Sequence, residues 1–470
     1  MAGSLLRRKP VSLEGLAPAQ RLRPTLSWQH LIPLGVGAIV GTGIYTLIGV
    51  GANLAGPGVI VSFLIAGAVC ACAALAYAEV ATMIPASGSA FTYSYVVLGE
   101  IIAWAVGWSL ILEYSLVVSA VAVGWSGYAV GFAAGLGVHL PAAVSAGIWA
   151  GGFVNVPAIV IIAVVAGLLM LGARESASVN ALLVLIKIVA LLVFIAVAAP
   201  RFDAANFHPF MPYGFAGEDI GTVRHGVMAA AAIIFFAFYG FDALSTAAEE
   251  TRRPGRDLPI GIVGSMAVCT LLYVAVAAAA IGAMPTARFA TSPEPLALIL
   301  RQLGEGPLAI AIGAAAVIAL PTVILAFLYG QSRIFFVMAR DGLLPRALAA
   351  VSERGVPVRM TIVTALVVAA LAGLAPLSEI ASLANAGTLA AFVAVSACLL
   401  VLRRRAPDAP RVFKTPLAWI IAPIAILGCL YLFWNLPTKT KLFFALWNAL
   451  GLTLYFAWRA GRPATQSPEA

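Results

Sequence analysis

Gly35-Val36-Gly37-Ala38-Ile39-Val40-Gly41-Thr42-Gly43-Ile44-Tyr45 carries four glycines in eleven residues, inside an apolar run long enough to cross a bilayer. Glycine in a helix interior costs about 1 kcal/mol relative to alanine. Two readings compete. Gly37 and Gly41 form a GxxxG pair that lets another helix approach closely. Alternatively, the chain unwinds at Gly41-Thr42-Gly43 and frees backbone N–H and C=O groups at mid-membrane. Irregular backbone survives at that depth only where it is buried in protein or lines a cavity.

A second stretch favours unwinding. Phe235-Phe236-Ala237-Phe238-Tyr239-Gly240-Phe241-Asp242-Ala243-Leu244-Ser245 places Gly240 two residues before a mid-span carboxylate. Reading outward, the two stretches fall in the first and sixth apolar spans, the spacing expected of two five-helix repeats broken at corresponding positions. That pattern predicts a secondary transporter with its substrate between the breaks. The exposed chemistry suits an amino acid. Amides at the start of a half-helix attract a carboxylate, and carbonyls released before a break accept hydrogen bonds from an ammonium group.

Composition agrees. Of 470 residues, 62% are hydrophobic and only 10% charged, against about 25% charged in soluble domains. Lipid is therefore the solvent for most of the chain. The net charge of +9 does not point to nucleic acid, because the basic residues sit between apolar runs in alternate loops. Cys70, Cys72, Cys269, Cys398 and Cys429 lie in or against apolar runs and lack metal-ligand spacing; they read as small hydrophobes. His30, His139, His208 and His225 are isolated near span ends or in loops. Residues 1–30 are polar and basic and do not resemble a cleavable signal.

Apolar runs predict twelve spans, at about 31–52, 57–84, 99–133, 154–172, 177–199, 225–247, 259–284, 305–338, 360–375, 379–402, 417–435 and 441–459. With the N-terminus in the cytoplasm, 21 of the 28 lysines and arginines fall on the cytoplasmic side and 6 outside, as the positive-inside rule requires. The expected organisation is a cytoplasmic segment (1–30), a first repeat (31–199, spans 1–5), a second repeat (225–402, spans 6–10), two further helices (417–459) and a cytoplasmic tail (460–470).

At these residues the sequence resembles the amino acid–polyamine–organocation superfamily, in particular bacterial members of its cationic amino acid transporter branch. The resemblance rests on Gly35 to Tyr45, Ala76-Tyr77-Ala78-Glu79, Pro85 to Ala90 with Tyr93, and Gly107-Trp108 with Leu112-Glu113-Tyr114. It continues through Phe235 to Asp242, Ala247 to Glu250, Arg256-Asp257-Leu258-Pro259 and Asp341 to Pro345. It implies an all-helical, leucine-transporter-like fold with inverted repeats and two appended helices, both termini cytoplasmic. It also implies that Thr42 and Gly43 receive the substrate carboxylate, that carbonyls near Ile39, Phe236 and Tyr239 face the ammonium, and that Phe236 gates the site. Two departures stand out. Tyr45 occupies a position where phenylalanine is usual, and Phe327 stands where relatives carrying arginine or lysine have a small residue, which shortens the pocket.

An ionisable side chain within a span costs at least about 2.5–3.5 kcal/mol on insertion scales and is a functional candidate by default. Lys187 sits mid-span in Leu185-Ile186-Lys187-Ile188-Val189. The resemblance implies that its ammonium fills the place where sodium-coupled members of the fold hold an ion between spans 1 and 8, which argues against sodium. It reads either as the proton carrier or as a charged strut. Glu113, in span 3, is the other coupling candidate, with Tyr273 as its expected hydrogen-bond partner; a structural packing role is the alternative. Asp242 is expected to fix the span-6 turn through its side chain. Glu79, Glu249 and Glu250 lie near the cytoplasmic face, where pairing with Arg333 and Arg340 would make an inner gate. Ordinary interfacial charge is the alternative, and the better reading for Glu250. Arg403-Arg404-Arg405 reads as an anchor on anionic lipid.

An intramembrane enzyme would need a nucleophile, a carboxylate pair or a metal motif, and none is legible; Glu113 and Asp242 stand apart from other carboxylates in sequence. No filter-like loop marks a channel. The expectation is a proton-linked importer of small, alanine-like neutral amino acids, using neither metal nor cofactor. A cationic amino acid carrier or an exchanger is the runner-up. The partners are the amino acid and the bilayer, with room for a small single-span accessory protein and no role for nucleic acid.

Overall fold

The computed structural model describes residues 27–84, 88–171, 177–221, 223–246, 251–340, 343–344 and 358–460. Helices occupy all twelve expected segments. Six of the twelve are single helices within a few residues of their sequence limits: Val59–Met83, Glu100–Gly135, Val156–Met170, Ala177–Ala198, Val358–Leu374 and Ala418–Asn435. Pro254–Ala283, Leu377–Arg405 and Thr438–Ala460 make three more, and the first of these starts five residues early. Its start has a physical basis, since Pro254 lacks the N–H that a first-turn residue would leave unpaired.

The remaining three are interrupted. Span 1 comprises Trp28–Ile39, Thr42–Tyr45 and Leu47–Ala55. Span 6 runs Val227–Ile234, tightens to a 3-10 turn at Phe235–Phe238, and resumes at Phe241–Thr246. Span 8, expected as one long helix, divides into Gly306–Ala319 and Pro321–Arg340. Pro321 explains that division, because proline removes a helix hydrogen bond and clashes with the preceding turn.

Long span 3 (Glu100–Gly135) forms the backbone of the packing, lying along spans 8, 9, 10 and 12. Span 7 (Pro254–Ala283) covers the first half of span 1 and the flank of span 2. Span 12 is held to span 3 by two indoles that bond reciprocally: Trp108 Nε1 donates to the Trp447 carbonyl at 2.8 Å, and Trp447 Nε1 to the Trp108 carbonyl at 3.0 Å. Their rings stack with centroids 4.7 Å apart. Apolar side chains on the outer faces of spans 4, 5, 9, 11 and 12 remain exposed, Leu366, Leu427 and Leu446 among them, as expected of surfaces that lipid covers.

Candidate functional site

The first break is an extended link. The opening helix of span 1 closes with the Val40 amide donating to the Val36 carbonyl at 2.8 Å. Val40 then turns to φ −72°, ψ 104°, and Gly41 is extended at φ −153°, ψ −149°. The helix restarts at Thr42, so the amides of Thr42 and Gly43 head a helical turn without carbonyls four residues behind them. The Thr42 and Thr46 hydroxyls are buried and have no hydrogen-bond partner among the described residues. The second break is sharper. Tyr239 is extended at ψ 155° and Gly240 adopts φ +105°, a region that favours glycine.

The two breaks interlock. A Cβ added at Gly43 would lie 2.3 Å from the Cα of Ala237 in span 6. Reciprocally, a Cβ at Gly240 would lie 2.6 Å from the carbonyl oxygen of Ala38 in span 1. The Tyr273 hydroxyl from span 7 reaches both breaks, 3.0 Å from the Ile39 carbonyl and 3.0 Å from that of Ala237, which compete for its one proton. Tyr273 therefore ties the breaks together and is not bonded to Glu113. The expected pairing with Glu113 does not form, because the Tyr273 hydroxyl lies at the carbonyls of the two breaks.

Lys187 straddles the first break from span 5, with only 1% of its surface exposed. Its ammonium donates to the Gly37 carbonyl on one side, at 3.2 Å, and to the Thr322 hydroxyl of span 8, at 3.2 Å. Its own carbonyl accepts from the Tyr45 hydroxyl on the other side, at 2.9 Å. Tyr45 is the atypical residue of the sequence motif, and this bond gives its hydroxyl a purpose. Its carbonyl in turn accepts from Tyr128 Oη of span 3 at 2.6 Å. Thr322 is placed by the Pro321 interruption and donates to the Ala319 carbonyl at 2.8 Å. The charge thus lies between spans 1 and 8.

Glu113 faces spans 6 and 10. It is buried against Gly387 of span 10, and among the described residues its Oε2 has no partner; the Thr388 hydroxyl donates to the Ala384 carbonyl at 3.3 Å instead. Asp242 is brought against span 3 at Tyr114, the residue after Glu113. Tyr114 donates to Asp242 Oδ2 at 3.4 Å, and the Tyr114 ring lies 5.2 Å from that of buried Phe327. Phe236 packs against Tyr239 with centroids 4.9 Å apart. The Tyr239 hydroxyl bonds to Asn385 Oδ1 of span 10.

These groups can hold a zwitterion. Donors stand at Thr42 and Gly43. Of the acceptors, Ile39 already receives Tyr273, and the Phe236 carbonyl receives the Tyr239 amide at 3.4 Å, but each carbonyl retains a second lone pair. Thr322, Tyr128 and Asn385 were not singled out from the sequence. The available signal was a polar side chain inside an apolar run, which by itself does not say where the side chain points.

Glu79, at the cytoplasmic end of span 2, has partners from span 10 and the loop that follows it. Glu79 is fully buried and accepts from Arg403 Nη2 at 2.7 Å, Arg411 Nε at 3.1 Å and the Thr415 amide at 2.7 Å. It is therefore bound to the end of span 10 and the loop after it. Arg411 also gathers the carbonyls of Leu402, Ala406, Pro407 and Ala409. Arg403 is thus an ion-pair partner. Arg404 lies over the Trp419 ring at 5.5 Å, and Arg405 donates to the Val97 carbonyl at 3.2 Å, so the triple-arginine run binds protein rather than lipid alone. Glu249 and Glu250 lie outside the described residues, as do the side chains of Arg333 and Arg340.

Comparison with known proteins agrees with this arrangement. The amino acid permease family model matches residues 26–457. The chain is 46% identical over 465 residues to the branched-chain amino acid permease BcaP of Bacillus subtilis (strain 168), covering 97% of this chain and 98% of that protein. It is 41% identical to the methylthioribose transporter of the same organism, over 97% and 98% of the two chains. It is 37% identical to the vacuolar cationic amino acid transporter 4 of Arabidopsis thaliana, over 86% of this chain and 68% of the relative. Together with the interlocked breaks in spans 1 and 6, these matches place the chain in the amino acid permease family of the amino acid–polyamine–organocation superfamily: a multi-pass plasma-membrane transporter of amino acids, not an enzyme.

Proposed function

We propose that this permease imports neutral aliphatic L-amino acids together with a proton, by alternating access of two five-span repeats (31–199 and 225–402) around the interlocked breaks. The carboxylate rests on the amides at Thr42 and Gly43, and the ammonium faces the carbonyls of Ile39, Phe236 and Tyr239. Phe236 closes the site from outside, and Glu249 with Arg333 closes it from inside. The proton is carried at Lys187 or Glu113.

The observation that supports this reading most is the ammonium of Lys187 between spans 1 and 8, bonded to a carbonyl freed by the break. An ammonium there stands in place of a bound metal ion and leaves a group that can also carry the proton. The buried ring of Phe327 against Tyr114 favours an uncharged, compact side chain over arginine or lysine. Two relatives named as branched-chain amino acid permeases, at 46% and 33% identity, shift the preferred size from alanine towards valine, leucine and isoleucine.

Counterflow of radiolabelled L-leucine in proteoliposomes tests this proposal, with unlabelled L-valine, L-isoleucine, L-alanine, L-arginine and methylthioribose as competitors. Strongest competition by L-valine and L-isoleucine, weaker by L-alanine, is expected. Strongest competition by L-arginine or methylthioribose would overturn the substrate assignment.

A further inference from the structure

The span-6 break has a clip of its own. Asn385 lies in span 10 with none of its surface exposed. Its amide nitrogen donates to the Ala232 carbonyl at 2.7 Å and to the Ile233 carbonyl at 2.9 Å. Both carbonyls belong to the last turn of Val227–Ile234, where the chain tightens into the 3-10 turn and the regular acceptor pattern ends. On the other side of the turn, the Tyr239 hydroxyl donates to Asn385 Oδ1. One side chain thus satisfies two carbonyls before the break and one hydroxyl at it, using both amide protons and the oxygen.

Lys187 has the same relation to span 1, with its ammonium on Gly37 before the break and its carbonyl under Tyr45 after it. In the two-repeat reading, span 5 and span 10 are counterparts. We infer that Asn385 is a positioning residue for transport: it fixes the span-6 break, and through it the Phe236–Tyr239 wall of the substrate site, as Lys187 fixes span 1. The inference rests on the proposal that substrate binds between the breaks, but the clip itself can be tested without substrate.

All three side-chain bonds of Asn385 go to span 6. It acts on the backbone from Ala232 to Tyr239, whose carbonyls and aromatic rings form one side of the site. The acceptor of the Tyr239 hydroxyl and the donor to the carbonyls are one amide. Losing either end therefore weakens the hold at the other, and the two residues act as a unit.

The test uses the full-length protein purified in detergent and in proteoliposomes, as Asn385→Ala, Asn385→Asp, Tyr239→Phe and the Tyr239→Phe/Asn385→Ala double variant. Amide hydrogen exchange is followed on peptides covering 227–246 and 31–47. The expected result is exchange about tenfold faster in the span-6 peptide of the Asn385 variants, with the span-1 peptide unchanged. In L-leucine counterflow, Asn385→Asp and Tyr239→Phe should each raise KM about tenfold while changing maximal velocity much less. The double variant should be no worse than Asn385→Ala alone, since the hydroxyl then has no acceptor left to lose.

Unchanged exchange in the span-6 peptide of Asn385→Asp would overturn the inference, as would strictly additive effects in the double variant. Should the wild-type protein fail to exchange L-leucine, the substrate assignment falls while the exchange measurement still decides the clip. Asn385→Asp and Tyr239→Phe, which preserve shape, stand in if Asn385→Ala does not fold.

Discussion

The two breaks solve the same problem with different chemistry. Span 1 opens into an extended link at Val40–Gly41 and is bridged by an ammonium group. Span 6 tightens, turns at a left-handed Gly240, and is bridged by a neutral amide. A lysine can gain or lose its charge; an asparagine cannot. On this account the proton-linked step belongs to the first repeat, and the second supplies a geometry that does not change with protonation.

The comparison breaks most completely at its points of contact. Gly240→Ala forces a side chain into φ +105° and towards the Ala38 carbonyl. Gly43→Ala drives one into the backbone of Ala237. Both variants should lose transport by on the order of a hundredfold, because displacement of either break by a fraction of an ångström misplaces the donors and acceptors together. Counterflow rates normalised to folded protein check this, and near-wild-type rates in either would mean that the breaks do not pack as described.

A smaller effect sharpens the comparison on the side-chain end of the site. Phe327→Ser removes a buried ring that faces Tyr114. It should raise the relative potency of L-arginine as a competitor by about tenfold. An unchanged competition profile would place the substrate side chain elsewhere.

The smallest expected effect lies outside both breaks. Glu294, in the connection between spans 7 and 8, is held by Arg301, yet burial outweighs that partner and pushes its carboxyl above the ordinary value. The folded protein therefore holds this proton more tightly than the unfolded chain. The contribution to stability is complete at low pH and is lost as pH rises from the ordinary carboxyl range through the folded value. Melting midpoints recorded from acidic to neutral pH should fall less steeply in Glu294→Gln than in the wild type, with transport selectivity unaltered.

Much of the architecture was legible because the bilayer makes long apolar runs and glycine interruptions conspicuous. The breaks at Gly41-Thr42-Gly43 and Gly240, and the mid-span charge of Lys187, fall into this class. Pro321 was also visible, but an apolar run that continues across a proline hides the interruption. The bonds of Glu79 were not legible. Arg411 lies 332 residues away in a loop, and a loop arginine's partner depends on tertiary packing. Asn385 was equally silent, being one small amide in Leu383-Ala384-Asn385-Ala386-Gly387. Its meaning comes from the carbonyls that a different span leaves open.

In the proposed mechanism the charged clip on span 1 couples transport while the rest of the site binds substrate. The direct test is L-leucine accumulation in sodium-free proteoliposomes under an imposed inward proton gradient, with wild type and Lys187→Ala measured beside counterflow. The wild type is expected to concentrate L-leucine until a protonophore is added, and Lys187→Ala to exchange it still without concentrating it. Gradient-driven accumulation by Lys187→Ala at the wild-type level would contradict this mechanism.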